Sequence, residues 1–168
     1  MATSDSEAVG VTDGNEYRAA LGRFATGVTV VAAYDTERGR IGITVNSFSS
    51  VSLAPPMVLW SLRNLSQHLR SFESAAHYSI NVLAAGQSEL ANRFASGDED
   101  KFREGSWRDS HLGTPVLDGC TAWFECANTQ THTGGDHRIF IGTVVDFGYS
   151  SAEPLVFHSG RFVALPPA

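Results

Sequence analysis

Residues 134–142 read Gly-Gly-Asp-His-Arg-Ile-Phe-Ile-Gly, a polar corner that runs directly into an alternating apolar segment. Two long segments that are rich in β-branched and aromatic residues, 121–131 and 138–149, flank this corner. Glycines between two strand-like segments are typical of a β-hairpin turn. This stretch therefore predicts a long hairpin with His137 beside its turn, at the mouth of a β-structure, where we expect a cofactor or substrate to bind.

Most of the remaining chain also has the sequence patterns of strands rather than of helices. Apolar spacing and capping residues predict helices from Asn15 to Gly27, from Ser66 onward and over 87–95. Many strands with only a few helices favour a closed or half-closed antiparallel barrel over a doubly wound parallel sheet. The further predicted strands are 28–34, 41–45, 57–62, 77–83, 154–157 and 161–164.

The length of 168 residues, 42% of them hydrophobic, is typical of one globular domain. Residues 1–13 are polar and acidic without apolar periodicity, so we expect a disordered tail followed by one domain over 14–168. The net charge of −6 argues against a nucleic-acid partner. No segment approaches the roughly 20 apolar residues of a membrane span and no secretion signal is visible, so we expect no membrane partner and a cytoplasmic location.

A second polar stretch, residues 44–52, follows a predicted strand and ends near a double proline. Its composition alone suits a strand edge whose Ser and Thr side chains face water. In the alternative interpretation, free amide groups over 44–47 hydrogen-bond a flat heterocycle, while Ser61 and Ser66, at a predicted helix start, bind a phosphate. The two polar stretches together then suggest one pocket for a planar ring joined to a phosphate.

The sequence does not predict a metal site. Cys120 and Cys126 are expected to share one side of a strand and to be reduced packing residues. A metallohydrolase built on His132, Asp136 and His137 is a weak alternative, because strand alternation separates the two histidines and no His-x-x-x-His helix is present. We therefore expect no bound metal.

Four segments resemble the short-chain flavin reductases in order and spacing: 23–31, 44–56, 100–102 and 135–142. The resemblance covers about residues 15–165. It implies a mainly β fold, a homodimeric split β-barrel of the Greek-key, FMN-binding type with two or three peripheral helices. It also implies that NADH or NADPH reduces FMN or FAD, which then diffuses to a partner flavin-dependent monooxygenase.

The resemblance also assigns roles to the second polar stretch and to the only lysine of the chain. Lys101 and Phe102 are implied to close over the flavin phosphate, which suits a compact cation. In the competing interpretation Lys101 is an ordinary solvated lysine, and the segment 97–111 looks like a flap rather than core. The other implied flavin-binding residues are Thr44, Val45, Asn46 and Ser47 around the isoalloxazine ring, and Ser61, Leu62 and Ser66 around the ribityl chain and phosphate.

The Gly-Asp-His motif of the resemblance is associated with the nicotinamide side of the site. It implies that His137 is the catalytic residue, which hydrogen-bonds the carboxamide or delivers a proton to the reduced ring, and that Asp136 orients it. Arg161 is implied to approach the same pyridine nucleotide. The ordinary alternatives are a turn histidine, a turn-forming aspartate and a solvent-facing arginine.

Two classes of function are open at this point. The first is a flavin reductase that passes hydride from NAD(P)H to a flavin. The second is a flavin-binding electron carrier with the same fold and no reductase activity. The adjacent Asp136 and His137 favour the reductase, while FMN and FAD, and likewise NADH and NADPH, are equally compatible with the sequence.

Overall fold

The computed structural model describes residues 14–98 and 100–165, and the tail predicted over 1–13 lies outside these ranges. No helix in this part of the chain is long and apolar enough to cross a membrane. The helices are α1 (Gly14–Leu21), α2 (Leu69–Ser74) and α3 (Ser88–Ala95), with a short 3₁₀ turn at Ala85–Gln87. The strands are β1 (Thr26–Gly27), β2 (Thr29–Asp35), β3 (Gly39–Val45), β4 (Ser49–Leu53), β5 (Pro56–Arg63), β6 (His77–Val82), β7 (Trp107–Asp109), β8 (Pro115–Leu117), β9 (Ala122–Gly134), β10 (His137–Tyr149), β11 (Val156–His158) and β12 (Arg161–Val163).

Seven antiparallel strands form the main sheet, in the order β3-β2-β6-β9-β10-β5-β4. Three short strands form a second sheet, β1-β11-β12, and β7 pairs with β8. Within the described residues, no ladder joins the edge strands β3 and β4, so the barrel is split rather than closed. The prediction of a mainly β split barrel with two or three helices is confirmed.

The predicted hairpin is formed by the two longest strands of the structure. β9 and β10 have 13 residues each and pair with only two irregularities in register. Gly135 has a φ of +63° in the turn, a conformation that glycine adopts without steric cost. Asn64 fixes this turn against the end of β5, because its Nδ2 donates to the Gly135 carbonyl at 3.1 Å and its backbone N–H donates to the Asp136 carbonyl at 2.8 Å.

Apolar side chains pack in two clusters that hold the strands and α3 together. One cluster surrounds Trp60 of β5, whose ring stacks on Phe140 of β10 with centroids 4.5 Å apart. The other includes Val30 of β2 and Phe94 of α3. Full burial of a large apolar side chain stabilises the folded state by about 1.5–3 kcal/mol. Because these side chains come from different elements, their packing holds β3, β5 and α3 in fixed positions relative to one another.

The two cysteines are free and buried, as expected for reduced packing residues. Cys126 belongs to the Trp60 cluster, whereas Cys120 precedes β9 and packs in the cluster around Phe94. The prediction that they share one side of a strand is therefore wrong. Burial raises the pKa of Cys120 to about 11 and that of Cys126 to about 12, which keeps both groups protonated at neutral pH.

The first helix is shorter than its apolar spacing predicts. α1 ends at Leu21 rather than Gly27. The backbone N–H groups of Arg23 and Phe24 donate to carbonyls three residues earlier, so the α-helical hydrogen-bond pattern gives way to tighter 3₁₀-type turns. Gly27 belongs instead to β1, which pairs with β11. The chain thus turns towards the small sheet before it enters β2.

Candidate active site

A cavity of about 770 Å³ opens where the ends of β3 and β5 meet the turn before α2 and the turn of the β9–β10 hairpin. The two polar stretches of the sequence therefore border one pocket, as the sequence suggests. The structure brings nine of the predicted site residues to its walls. They are Thr44, Val45, Asn46, Ser47, Ser61, Leu62, Ser66, Lys101 and His137.

β3 borders this cavity with an open edge. Among the described residues it pairs with β2 alone, so alternate residues direct their backbone N–H and C=O groups away from the sheet. The nearby hydroxyls already have partners, since Thr44 Oγ1 donates to the Ala91 carbonyl at 2.7 Å. Likewise Ser47 Oγ donates to the Ser61 carbonyl at 3.1 Å and accepts from its N–H at 2.9 Å. The backbone of 44–47 is therefore better suited than its hydroxyls to bind a ligand.

Lys101 is a buried cation at the cavity wall. It is only 7% exposed, so the alternative of an ordinary solvated lysine is wrong, although most described residues of the flap-like segment 97–111 are exposed. Its Nζ donates to the Phe94 carbonyl at 3.2 Å. Burial lowers the pKa of Lys101, and the nearby Asp98 carboxylate offsets this only in part. An anion that enters the cavity would stabilise the desolvated ammonium group, and a phosphate has the required charge.

Phe102 packs behind the cavity instead of lining it. Its ring lies edge-on to Phe94 and to Trp107, with centroid distances of 4.9 Å in both cases. A Cβ at Gly42 of β3 would lie 2.5 Å from the Phe94 ring and 3.2 Å from the Phe102 ring, so only glycine permits this approach. Phe102 lines an adjoining cavity of about 390 Å³ that Lys101 also borders.

Ser66 lines the main cavity but does not begin a helix, contrary to the prediction. α2 begins at Leu69 with His68 at the N-cap position. Ser66 Oγ accepts a hydrogen bond from the His68 backbone N–H at 3.3 Å, which forms a turn rather than a helix cap. Burial and then repulsion from Lys101 lower the pKa of His68, so its ring is neutral at neutral pH. The argument for phosphate binding at a helix start is therefore wrong. The groups that fit an anion are instead the ammonium group of Lys101 and the hydroxyls of Ser61 and Ser66.

His137 and Asp136 form a hydrogen-bonded pair at the cavity mouth. His137 Nδ1 lies 2.7 Å from Asp136 Oδ1. This hydrogen bond lowers the pKa of the Asp136 carboxyl, which is therefore ionised at neutral pH and can only accept. Nδ1 must then carry the hydrogen, and Nε2 is the ring atom left to interact with a ligand. Asp136 itself does not line the cavity and is largely exposed.

Arg161 does not line the cavity. It lies exposed on β12, opposite His158 of β11. Phe157 and Phe162 of the same small sheet line a third cavity of about 260 Å³, which shares the 44–46 segment with the main one. The aromatic residues of this sheet, rather than Arg161, thus approach the edge of β3, and the role of Arg161 stays a prediction.

The cavity also contains residues that the sequence analysis did not select. Ile139 follows His137 by two positions on β10 and lines the same cavity, so strand periodicity contained a usable signal. Gln67 and His68 come from the turn before α2. Their position depends on tertiary packing, for which the local sequence offers no pattern.

The hairpin turn does not assemble the metal site of the metallohydrolase alternative. His132 Nε2 lies 3.3 Å from Gln130 Oε1. Over residues 14–98 and 100–165, the one group of three potential metal ligands close enough to share an ion lies elsewhere, and it contains neither His132 nor His137. That alternative therefore has no support from the geometry.

Comparison with known proteins identifies the family of the chain. Residues 21–166 match the model of the flavin reductase like domain. The FMN reductase (NADH) SmoA of Agrobacterium fabrum is 43% identical over 153 residues, which cover 91% of this chain and 87% of that protein. The reductase component of the flavin-dependent trigonelline monooxygenase of Acinetobacter baylyi is 38% identical over 157 residues, but these cover 94% of this chain and only 51% of that longer protein.

A solved structure shows the same architecture. The NADH:FAD oxidoreductase SgcE6 of Streptomyces globisporus C-1027, in complex with NAD and FAD fragments, matches with a TM-score of 0.88 at 35% identity, and the match covers 92% of this chain and 94% of that one. The domain match spans most of the sequence, including the hairpin and both polar stretches. The chain therefore belongs to the flavin reductase like domain family, which confirms the resemblance of its four sequence segments.

Proposed function

We propose that this protein is a flavin reductase, which transfers hydride from NADH or NADPH to FMN or FAD. One observation carries the proposal: a single cavity joins the open edge of β3, the buried Lys101 and the imidazole of His137. Family membership supports this activity, and relatives named for NADH, FMN and FAD support the choice of substrates. NADPH rests on the sequence resemblance alone.

The cavity has the size and the groups that a flavin requires. Its volume of about 770 Å³ lies within the usual range of cofactor pockets. We assign the backbone of 44–47 to the isoalloxazine ring, because no strand of the described residues pairs with the cavity side of β3, whose end this segment continues. A bound flavin supplies the ring that accepts the hydride, and the protein supplies position and polarity.

The phosphate end is assigned to Lys101 with Ser61 and Ser66. The ammonium group of Lys101 is desolvated and has a backbone carbonyl as its hydrogen-bond acceptor, so it lacks an anionic partner at that bond. A phosphate provides this charge, and hydrogen bonds between charged groups are stronger than neutral ones. Phe102 acts indirectly in this arrangement, because its contact with Phe94 supports the element to which Lys101 is bonded.

His137 is assigned to the hydride donor. Asp136 holds its Nδ1, so Nε2 can accept from the nicotinamide carboxamide or, in the imidazolium form, give a proton to the reduced ring. Turnover then depends mainly on the distance and orientation of the two substrates, since no covalent step on the protein is required. Arg161 is a weaker candidate for the same side of the site.

We also propose that the protein is a homodimer that passes reduced flavin by diffusion to a flavin-dependent monooxygenase. β10 exposes Val145, Phe147 and Tyr149 at alternate positions, and Phe147 and Tyr149 are 60% and 83% exposed. Monomers seldom expose contiguous apolar patches of this kind. Light scattering tests the dimer, and F147E/Y149E should shift the protein towards monomer if this surface is the interface.

The monooxygenase partner is supported by the relative named as a reductase component.

The activity is tested by incubating purified protein with NADH or NADPH and with FMN or FAD. A reductase oxidises the pyridine nucleotide, so the absorbance of NADH or NADPH falls with each turnover. An electron carrier would bind the flavin and leave that absorbance unchanged, which would overturn the proposal. The flavin would further be identified as a diffusing substrate if the rate saturates with the concentration of free flavin and each protein molecule reduces more than one flavin molecule.

A further inference from the structure

Glu125 is a fully buried carboxylate far from the cavity. It lies on β9, on the face of the main sheet that the chain between β7 and β8 covers, and it is 0% exposed. Its Oε1 accepts hydrogen bonds from Thr114 Oγ1 at 2.7 Å and from Ser110 Oγ. Its Oε2 is equally buried and accepts no hydrogen bond from any described residue. One oxygen of this carboxylate is therefore unsatisfied.

Two further side chains that could ligate a metal lie close to this carboxylate. His111 Nδ1 lies 3.6 Å from Glu125 Oε2. Asp146 of β10 is the direct cross-strand partner of Glu125, so the two carboxylates share a face of the sheet. One ligand atom from each of the three residues lies within 4.8 Å of the other two, and the described part of the chain contains no other such group.

This arrangement is unfavourable without a cation. Like charges directly opposite on neighbouring strands destabilise the pair, and a buried carboxylate oxygen without a partner loses its hydration without compensation. The fold nevertheless places both carboxylates here and adds an imidazole. The three side chains offer one nitrogen and carboxylate oxygens around the same small volume, which is the donor set of a divalent metal ion.

We propose that His111, Glu125 and Asp146 form a site for a divalent transition-metal ion, with Zn²⁺ as its best-fitting occupant. Imidazole disfavours Ca²⁺ and Mg²⁺, which prefer oxygen ligands alone. Ligand atoms around a four-coordinate zinc lie about 3.3 Å apart at bond lengths of about 2 Å, so the 3.6 Å between His111 and Glu125 already approaches this geometry. Three protein ligands leave one position for water, and His111 is exposed enough to admit it.

The site anchors the chain between β7 and β8 rather than taking part in hydride transfer. Asp146 lies nine positions after His137 on β10, which corresponds to about 30 Å along the strand. None of its three ligands lines the main cavity. A bound ion would connect His111, on the covering segment, to β9 and β10, and it would thereby stabilise the folded chain.

The test uses the full-length protein without an affinity tag, dialysed first against EDTA and then titrated calorimetrically with Zn²⁺. We expect one equivalent per chain to bind, and a saturating excess to raise the unfolding temperature by about 5–10 °C. His111→Ala and Asp146→Asn, which change solvent-accessible ligands and should fold, are expected to lose this binding and this shift. His132→Ala, at an exposed histidine of the same hairpin, is the matched control and should keep both.

Two results would overturn the proposal. In the first, the unmodified protein binds no Zn²⁺ more tightly than His111→Ala and Asp146→Asn do. In the second, His132→Ala or other histidine variants remove the binding while His111→Ala retains it, which would place the ion elsewhere. Because the measurement needs neither flavin nor NADH, failure here leaves the proposed reductase activity unaffected.

Discussion

At two positions along the β9–β10 hairpin a carboxylate lies near a histidine ring. The two carboxylates differ in their exposure and in their distance from that ring. At the turn, Asp136 is 85% exposed, and its Oδ1 lies 2.7 Å from Nδ1 of the adjacent His137. Further along, Glu125 is 0% exposed, and its nearest imidazole is His111 at 3.6 Å, from another segment. The first carboxylate can be hydrated and only orients a ring, whereas the second is shielded from water and has hydrogen bonds to only one of its oxygens among the described residues.

The comparison separates groups that serve function from groups that serve stability. Polar groups at the cavity retain binding capacity, because the ammonium group of Lys101 donates to a carbonyl rather than to an anion and Nε2 of His137 is left for a ligand. The buried cluster around Glu125 uses its hydroxyl partners to hold a covering segment in place. We therefore expect substitutions in the two regions to affect different measurements.

The largest effect is expected for Glu125→Ala. In the Zn²⁺-saturated protein, this change leaves a cavity, removes a proposed metal ligand and removes the acceptor of the buried Thr114 hydroxyl, so the free energy of unfolding should fall by about 3–4 kcal/mol. Urea unfolding followed by circular dichroism measures it. Asp136→Ala is the matched control at the turn and should cost less than about 0.5 kcal/mol, since Asp136 is exposed. Equal losses in the two variants would abolish the distinction between the regions.

His137→Ala should have the largest effect on catalysis. Without the imidazole that positions the nicotinamide or transfers a proton, kcat/KM for NADH should fall by about 10²-fold, while flavin affinity and stability change little. Steady-state kinetics and flavin fluorescence quenching measure these quantities. His132→Ala, on the same hairpin, should behave like the unmodified protein. Weaker flavin binding with a normal response to NADH would place His137 on the other side of the pocket.

Lys101→Met should weaken the binding of FMN by about tenfold, because a charge-assisted contact to the phosphate is lost. Riboflavin, which lacks the phosphate, provides the internal control and should bind the variant as well as it binds the unmodified protein. Ser66→Ala should show the same pattern with a smaller loss of about threefold. If FMN and riboflavin lose affinity equally in Lys101→Met, the lysine acts through the shape of the pocket and not through its charge.

The smallest effect expected is a change of FMN affinity and of protein stability at alkaline pH. Burial lowers the pKa of Lys101, so its ammonium form disappears at a lower pH than that of a free lysine, and FMN affinity should fall as pH rises through this value. Between the lowered folded pKa and the unfolded pKa, the unfolded chain binds more protons. The stability of the ligand-free protein should therefore rise with pH over the same window. Lys101→Met should lose both trends, and a pH-independent FMN affinity in the unmodified protein would contradict the assignment.

Local patterns in the sequence identified most of the strands and both polar stretches. Alternation and glycine placement are properties of neighbouring residues, which is why the hairpin around His137 could be predicted. Ser66 was misassigned to a helix start because a serine hydroxyl caps a turn and a helix by the same chemistry, and here it bonds within the turn. Lys101 is buried beside Phe102 and bonded to the carbonyl of Phe94, and the rings of these two residues pack over Gly42, a contact between distant parts of the chain.

The group of His111, Glu125 and Asp146 shows the same limit more clearly. Its members lie 14 and 21 positions apart, at no spacing that a helix or a single strand would bring together. Only strand pairing and the path of the covering segment assemble them. The absence of a ligand motif in the sequence therefore did not imply the absence of a suitable site.

The open edge of β3 has a consequence for how the protein behaves when substrate is scarce. Where β3 reaches the cavity, its outer row of amide and carbonyl groups pairs with no strand of the described residues, and such a row is a template onto which an extended segment of another molecule can add. If a flavin occupies part of that row, it also shields the protein from self-association. Storage with excess FMN should then keep preparations clear for longer than storage without it.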